Sequence, residues 1–299
     1  MARVRTALIP KKSGAWRGIG IFAAFVRMYT RARVPWCKEW EANHPEPFFA
    51  QGSGRAPLDP IWRAAARAEA AAGSDAAAAT VAIDVAAFFE SIDWTVLSER
   101  AERAGFPAVL LRVALSMYGL PRHVEADGVA TRPIWPTRGI APGCPWAMCL
   151  AKVYVLEPMR RQTAAHPDVE HQIFVDDIMA GTEGPSKSVR DQVSAAAADL
   201  LELVPTALRS SVANDKIVIV ASSNQLGRQL SSDLGLPESM AVRSTILLGG
   251  DYAAGRRRAA WAGRSGRRAR ISKTSRRRER VRILRAAAGA RVKILAPTG

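Results

Sequence analysis

The sequence has no apolar run of the ~18 residues that would suggest a membrane-spanning helix. Its first residues, MARVRTALIPKKSGAW, lack the apolar stretch and cleavage site of a secretory signal. Cysteine is scarce. Cys37, Cys144 and Cys149 are the only three in 299 residues, and their spacing fits neither a disulfide framework nor a zinc site. The step from Cys144 to Cys149 reads instead as two small residues on or near a helix. No internal repeat is visible, so a solenoid is not indicated. Acidic residues are nearly missing from one region: residues 255–299 hold 16 Lys or Arg and a single acid, Glu279.

That last shortage sets the charge. The chain carries +16, and residues 255–299 supply +15 of it. The remaining 254 residues hold 27 basic and 26 acidic residues, a net of +1. Such a block is an electrostatic footprint for polyphosphate, most often nucleic acid. Ile271, Val281, Ile283, Leu284, Val292, Ile294 and Leu295 are interleaved with the charges. Residues 276–295 therefore read as a helix with one apolar side, not as a disordered tail. The 299 residues are enough for one or two domains with a real core, and 48% hydrophobic residues is not a disordered composition.

Patterning along the chain predicts a mixed α+β fold. VRTALI (4–9) reads as a strand ended by Pro10, KKSGAW as a basic turn and RGIGI as a returning strand. Phe22, Phe25, Val26 and Tyr29 recur at helical spacing until Pro35 interrupts. Residues 43–60 read as loop, and 63–79 as an Ala-rich helix broken at Gly73 and Ser74. TVAIDV (80–85) is a short buried strand ending at Asp84. Asp93 is placed to cap a helix from Trp94 to about Ala104, stopped by Gly105. GIAPGCPW (139–146) is a Gly/Pro loop whose Pro145 suits the first turn of an apolar helix. Two short strands flank Asp176 and Asp177. Val189, Val193, Ala196, Leu200 and Leu201 mark another helix, and KIVIVAS (216–222) a last strand. The order is that of a split βαβ, ferredoxin-like sheet.

In that topology the first and third strands are neighbours. Asp84 would then approach Asp176, although 92 positions separate them in the chain. Taken alone, VDD reads as a plain turn, because aspartates bond nearby backbone in tight hairpins. Two converging carboxylates repel each other unless a cation neutralises them. Mg²⁺ suits the task, since it takes few carboxylates and completes its shell with water and substrate phosphates. Two such ions roughly 3.5–4 Å apart stabilise both the attacking and the leaving oxygen of phosphoryl transfer. That geometry fits nucleotide addition.

The motifs resemble those of a known family. AIDVAAFFESIDW resembles the first catalytic motif of reverse transcriptases, RGIAPGCPWAM the second, FVDD the third and VANDKIVIV the fourth. LLGGDY (247–252) resembles the turn that follows, LIPKKSGAWRGIGI the fingers hairpin, and QGSGRAPLDPIW an upstream segment. All seven occur in order, and their spacing is most similar to the non-LTR (LINE-type) retrotransposon branch. The resemblance implies fingers over 1–79, a palm over 80–254 and a basic partial thumb over 255–299. It implies RNA-directed DNA synthesis on an RNA template with a DNA primer and dNTPs, assisted by two Mg²⁺ ions, with Mn²⁺ as an alternative. It gives no membrane partner. A retroelement protein is compatible with an intracellular, nuclear location, which nothing else in the sequence addresses.

The resemblance also implies roles. Asp84 and Asp176 would bind the metals, with the Val85 carbonyl completing a shell and Asp177 in support. Phe89 would lie under the sugar and exclude a 2′-hydroxyl, while Phe88 is a core residue. Lys11, Lys12 and Arg17 would clamp the triphosphate, Arg17 with bidentate geometry. Pro142 and Gly143 would face the incoming nucleotide. Lys216 would act as general acid toward pyrophosphate. Arg256, Arg257, Arg258, Arg267, Arg268, Arg276, Arg277 and Arg278 would hold nucleic acid. Four of these calls have a plainer alternative: a hairpin carboxylate for Asp177, a core aromatic for Phe89, surface lysines for Lys11 and Lys12, a solvated lysine for Lys216. Three departures stand out. Pro142 replaces a usual Gln and Cys144 a usual Ser, QGSGRA lacks the usual Phe and second Arg, and the chain resembles a fragment without endonuclease or complete thumb. Three other readings stay open: a nucleotide cyclase, because GGDY resembles its hairpin; an RNA-recognition module with the same strand order; and a decayed retroelement protein that binds nucleic acid without catalysis.

Overall fold

The computed structural model describes residues 4–10, 16–52, 56, 58–126 and 129–255. Lys11, Lys12 and the eight arginines from Arg256 to Arg278 named above lie outside the described residues, as does the helix expected over 276–295. Arg17 is described in its backbone only.

The chain opens with a hairpin, β1 (Val4–Pro10) and β2 (Trp16–Ile21), paired antiparallel with Ile9 opposite Arg17. Two helices follow, α1 (Ala24–Ala32) and α2 (Val34–Ala42). Pro35 falls in the first turn of α2, so the expected interruption is the start of a new helix. The Ala-rich helix α3 runs Asp59–Gly73. It begins four residues before the expected position, because Pro60 is tolerated in a first turn.

The strand ending near Asp84 is β3 (Ala77–Ala86). It starts earlier than TVAIDV suggests. Ala77, Ala78 and Ala79 favour helix in isolation, but cross-strand pairing on the sheet overrides that preference. Then come α4 (Phe88–Ser91), α5 (Trp94–Arg103) and α6 (Ala108–Tyr118). The Asp93 side chain caps α5 as expected, accepting from the Thr95 and Val96 amides at 2.8 and 3.1 Å. Such a cap contributes about 1 kcal/mol. The strands β4 (Arg122–Ala126) and β5 (Val129–Ala130) return to the first hairpin, giving a sheet of order β2-β1-β4-β5.

Helix α7 (Ala147–Ala165) is buried on nearly every side, which is the signature of a helix inside the core. It is followed by β6 (Glu170–Phe174), β7 (Asp177–Gly184), α8 (Ser186–Thr206), β8 (Ser211–Val212), β9 (Val218–Ala221) and α9 (Asn224–Asp233). The last described strands are β10 (Ala241–Val242), β11 (Ser244–Leu247) and β12 (Gly250–Ala253).

The central sheet has order β10-β9-β3-β7-β6. Strand β3 is antiparallel to both β7 and β9, which is the split βαβ arrangement the element order predicts. One face is covered by α8, against a core that includes Val81, Ile83, Ile178, Ala180, Val193 and Leu200. The other face is covered by α3 and β12, around Ala64, Ala68, Ala78, Ala82, Met179, Val220 and Tyr252. With both faces buried, β3 reads as a continuous apolar run rather than an alternating one. The polar residue that ends its buried stretch, Asp84, is thereby delivered to one edge of the core.

Candidate active site

Three strands converge on Asp84. In the β3–β7 ladder its register partner is Asp177. The Val85 amide donates to the Asp176 carbonyl at 2.8 Å, which ties the β6–β7 turn to β3. The Ala213 amide donates to the Asp84 carbonyl at 2.9 Å, which brings in the segment before β9. That segment ends in a 3₁₀ turn, Asn214–Lys216. Lys216 therefore sits just ahead of the strand, not within it as KIVIVAS suggests. From there its ammonium donates to both Asp84 oxygens, at 2.9 and 2.8 Å, across 132 residues of sequence.

The turn carrying Asp176 has two residues between the paired Phe174 and Asp177. Val175 adopts φ 62°, while Asp176 is not among the positive-φ residues. Positive φ at the first central position alone is the mark of a type II′ hairpin, where glycine is favoured. A β-branched residue there is strained.

The electrostatics reflect the crowding. Burial, then Asp176, then Asp84 push the Asp177 carboxyl up to about 7, and Lys216 only partly opposes them. The hydrogen bonds to Asp84 raise Lys216, which holds its proton more firmly than a free lysine. Among the described residues no three His, Cys, Asp or Glu side chains form a ready-made metal cage. The donor set fits an ion that needs only two carboxylates and a carbonyl and keeps water and phosphate for the rest. The Lys216 ammonium already lying against Asp84 demonstrates that a positive charge is accommodated at this point.

A second wall is built around Phe89. Ala87, at φ 46°, turns the chain out of β3 into α4. Phe88 is buried, and Phe89 packs beside it partly buried, with ring centroids 5.9 Å apart. The Phe89 carbonyl accepts from the Ile140 amide at 2.8 Å, and the Ile92 carbonyl from the Gly139 amide at 2.7 Å. Gly139 has φ 88°, and a Cβ there would lie 2.7 Å from the Glu90 carbonyl oxygen, so no larger residue fits. On its other side the loop docks on β2. The Gly20 amide donates to the Pro142 carbonyl at 2.9 Å. Gly143 has φ 100°, and a Cβ there would lie only 3.0 Å from the Gly20 carbonyl oxygen. Thus Phe89, Pro142, Gly143 and the strand bearing Arg17 are brought together, and Val85, buried, lies beside Asp84.

Two features lie outside the roles that the motifs imply. Gln51, almost fully buried, accepts the Val175 amide on its side-chain oxygen at 3.1 Å. The contact spans 124 residues, so the QGSGRAPLDPIW motif that Gln51 opens marks the residue but not its partner. Second, α1 and α2 present Phe25, Met28, Tyr29 and Trp36 to solvent, with the Arg33 guanidinium 5.4 Å from both the Tyr29 and the Trp36 rings. A signal existed in this case. Residues 1–38 contain nine Lys or Arg and no acid, a second basic segment that a division at residue 255 hides. The charge excess is therefore not confined to the C-terminal block. The GGDY segment, by contrast, lies on the β11–β12 hairpin, a separate two-stranded sheet, and not on the hairpin that faces β3.

Comparison with known proteins agrees with this arrangement. The profile of the reverse transcriptase (RNA-dependent DNA polymerase) family matches residues 9–230, which include every element converging on Asp84. No curated protein matches the sequence. Among solved structures, an apo telomerase from Candida tropicalis truncated from its C-terminal domain superimposes with TM-score 0.58 at 12% identity, over 85% of this chain and 53% of that one. A telomerase from Candida albicans, solved with the TWJ fragment of telomeric RNA, gives TM-score 0.57 at 12% identity, over 85% of this chain and 46% of that one. The chain thus spans about half the length of these telomerases, and at such identity the likeness is one of fold. The family profile covers most of the sequence and the strands that gather Asp84, Asp176, Asp177 and Lys216 fall within it: the chain belongs to the reverse transcriptase family.

Proposed function

We propose that this chain catalyses RNA-directed DNA synthesis, adding deoxynucleotides to a primer by two-metal nucleotidyl transfer. The observation that carries the proposal is the meeting of Asp84, Asp176, Asp177 and Lys216 at the end of β3. Asp84 and Asp176, with the Val85 carbonyl, would hold divalent ions that stabilise the attacking and leaving oxygens. Asp177 adds negative charge behind them. Lys216, held at the Asp84 carboxylate, would pass its proton to departing pyrophosphate. In this reading residues 1–79 are fingers, 80–254 palm and the basic C-terminal block thumb, although α3 lies on the palm sheet and β4–β5 join the sheet of the fingers hairpin. Lys11, Lys12 and Arg17 meet the triphosphate, and the C-terminal arginines hold the duplex backbone. The exposed aromatics and arginines of α1 and α2 have the composition of a surface for single-stranded template, on which bases stack and phosphates pair. A non-LTR retroelement origin is the finer form of the same reading.

The test is primer extension on an RNA template with Mg²⁺ and dNTPs. Extension that requires template, primer and divalent ion is the expected result. Nucleic-acid binding with no extension would favour the decayed-protein reading, which the Pro142 departure motivates.

Within an active enzyme, Phe89 is expected to select deoxynucleotides. Its ring is partly buried and held beside buried Phe88 at the loop bearing Pro142. Exclusion of a 2′-hydroxyl needs bulk and not a hydrogen bond. Phe89→Tyr should therefore be mild, while Phe89→Val should lower the dNTP/rNTP ratio of kcat/KM about tenfold or more, corresponding to ~1.4 kcal/mol. An unchanged ratio would return Phe89 to a packing role.

A further inference from the structure

We propose that Gln51 is a positioning residue for the turn that carries Asp176: its side-chain carbonyl holds Val175 in the left-handed conformation and so fixes where Asp176 stands. The inference deepens the polymerase reading and rests on Asp176 as a metal ligand.

The turn is strained and must be held. Val175 sits at φ 62°, in a place that favours glycine. The turn's own i→i+3 bond does not use the amide of its first central residue. That amide donates instead to Gln51 Oε1 at 3.1 Å. Because the partner is an N–H, the Gln51 atom facing it has to be the oxygen. On the other side the Asp176 carbonyl accepts from the Val85 amide at 2.8 Å. The two central residues of the turn are thus each pinned, Val175 by Gln51 and Asp176 by β3.

Gln51 is itself well anchored. Residues 48–51 lie along β6, the last strand of the central sheet. Phe49 pairs in parallel with Ile173, the Ile173 amide donates to the Phe48 carbonyl at 2.8 Å, and the Ala50 amide donates to the Ile173 carbonyl at 2.9 Å. Phe48 and Phe49 are buried and contact edge-to-face at 4.8 Å. Lys152 of α7, buried and paired with Glu41 of α2 at 3.0 Å, lies 5.5 Å from the Phe49 ring centroid. The segment therefore connects α2 and α7 to the turn, and its end is the Gln51 carbonyl. A displacement of Asp176 of the order of ~1 Å would be enough to cost up to ~100-fold in rate.

Gln51→Met keeps the side-chain length and removes the acceptor. Hydrogen–deuterium exchange over residues 170–180 reads the turn directly and needs no activity. The turn should exchange about tenfold faster in Q51M, with β9 unchanged. Titration with Mn²⁺ alone should show a dissociation constant raised about fivefold or more. In primer extension kcat should fall about 10- to 100-fold with KM for dNTP within about twofold. Val175→Gly supplies the cross-check, since glycine takes positive φ without the steric cost. In a V175G background the Q51M penalty should shrink to about threefold or less. If Q51M fails to fold, Gln51→Glu, which keeps an acceptor oxygen at the same reach, carries the test and should preserve slow exchange in the turn. Unchanged exchange over 170–180 in Q51M, fast exchange in a folded Q51E, or an equal Q51M penalty in both backgrounds overturns the proposal. A wild-type chain whose turn exchange and Mn²⁺ affinity depend on Gln51 but which extends no primer would defeat the polymerase reading and leave the Gln51 hold standing.

Discussion

Asp84→Asn and Asp176→Asn are each expected to reduce single-turnover primer extension by about 10³-fold or more, a loss of ~4 kcal/mol of transition-state stabilisation. Both replacements keep side-chain size and remove one negative charge. For Asp84 the change also removes the charge that holds Lys216, whose ammonium bonds both carboxylate oxygens. The fold should survive, because the backbone bonds that assemble the site, Val85 to Asp176 and Ala213 to Asp84, do not involve either side chain. Circular dichroism and melting should therefore match wild type or improve on it, since repulsion around Asp177 is relieved. Residual extension above about a tenth of wild type in both variants, with both folded, would show that these carboxylates are not the ion-binding pair; that threshold corresponds to only ~1.4 kcal/mol.

Asp177→Asn should show the opposite pattern, with a large effect on stability in the metal-free protein. The folded carboxyl titrates at about 7, against an ordinary value of 3.8, because it is buried and faces Asp176 and Asp84. A raised carboxyl pKa means the folded protein binds the proton more tightly than the unfolded chain. Stability therefore falls as pH rises from about 4 to about 7, and the full penalty applies above that range. Below about pH 4 both states are protonated and the penalty vanishes. Asparagine carries no charge and removes the slope. In EDTA at pH 8 the variant should be more stable by roughly 1–3 kcal/mol, allowing for partial solvent screening, which is a few degrees in Tm. At pH 4 the two melting curves should coincide. Adding Mg²⁺ at pH 8 should narrow the gap, since a cation relieves the same repulsion in wild type. Equal melting temperatures in EDTA at both pH values would refute the assignment.

The parts of this fold that could be read in advance are those with a local chemical cause. Asp93 announces its helix because a carboxylate before an apolar periodic stretch caps free amides. Asp84 announces a strand end because it follows a run that tolerates burial on both faces. The neighbouring of β3 and β7 follows from element order alone. What escaped depends on partners distant in sequence. Ala77–Ala79 become strand only because β7 and β9 pair with them. Lys216 looks like the first residue of a strand until the 3₁₀ turn aims it at Asp84. Gln51 opens the QGSGRAPLDPIW motif, but nothing local marks its contact with Val175, since the turn that creates it is 124 residues away. The aromatic and arginine surface on α1 and α2 was within reach of a finer reading of charge along the first 38 residues.

The junction between the 139–146 loop and β2 is a clasp of main-chain atoms. The Gly20 amide meets the Pro142 carbonyl, and Gly143 lies against the Gly20 carbonyl. No side chain at position 142 takes part in that bond. A side-chain change at this position therefore leaves that bond in place, so in the proposed reading proline would alter what faces the nucleotide and not how the two walls are fastened. The scaffold is heritable independently of the side chain it displays, and if the loop faces the nucleotide as proposed, its preference would be free to diverge on an unchanged frame.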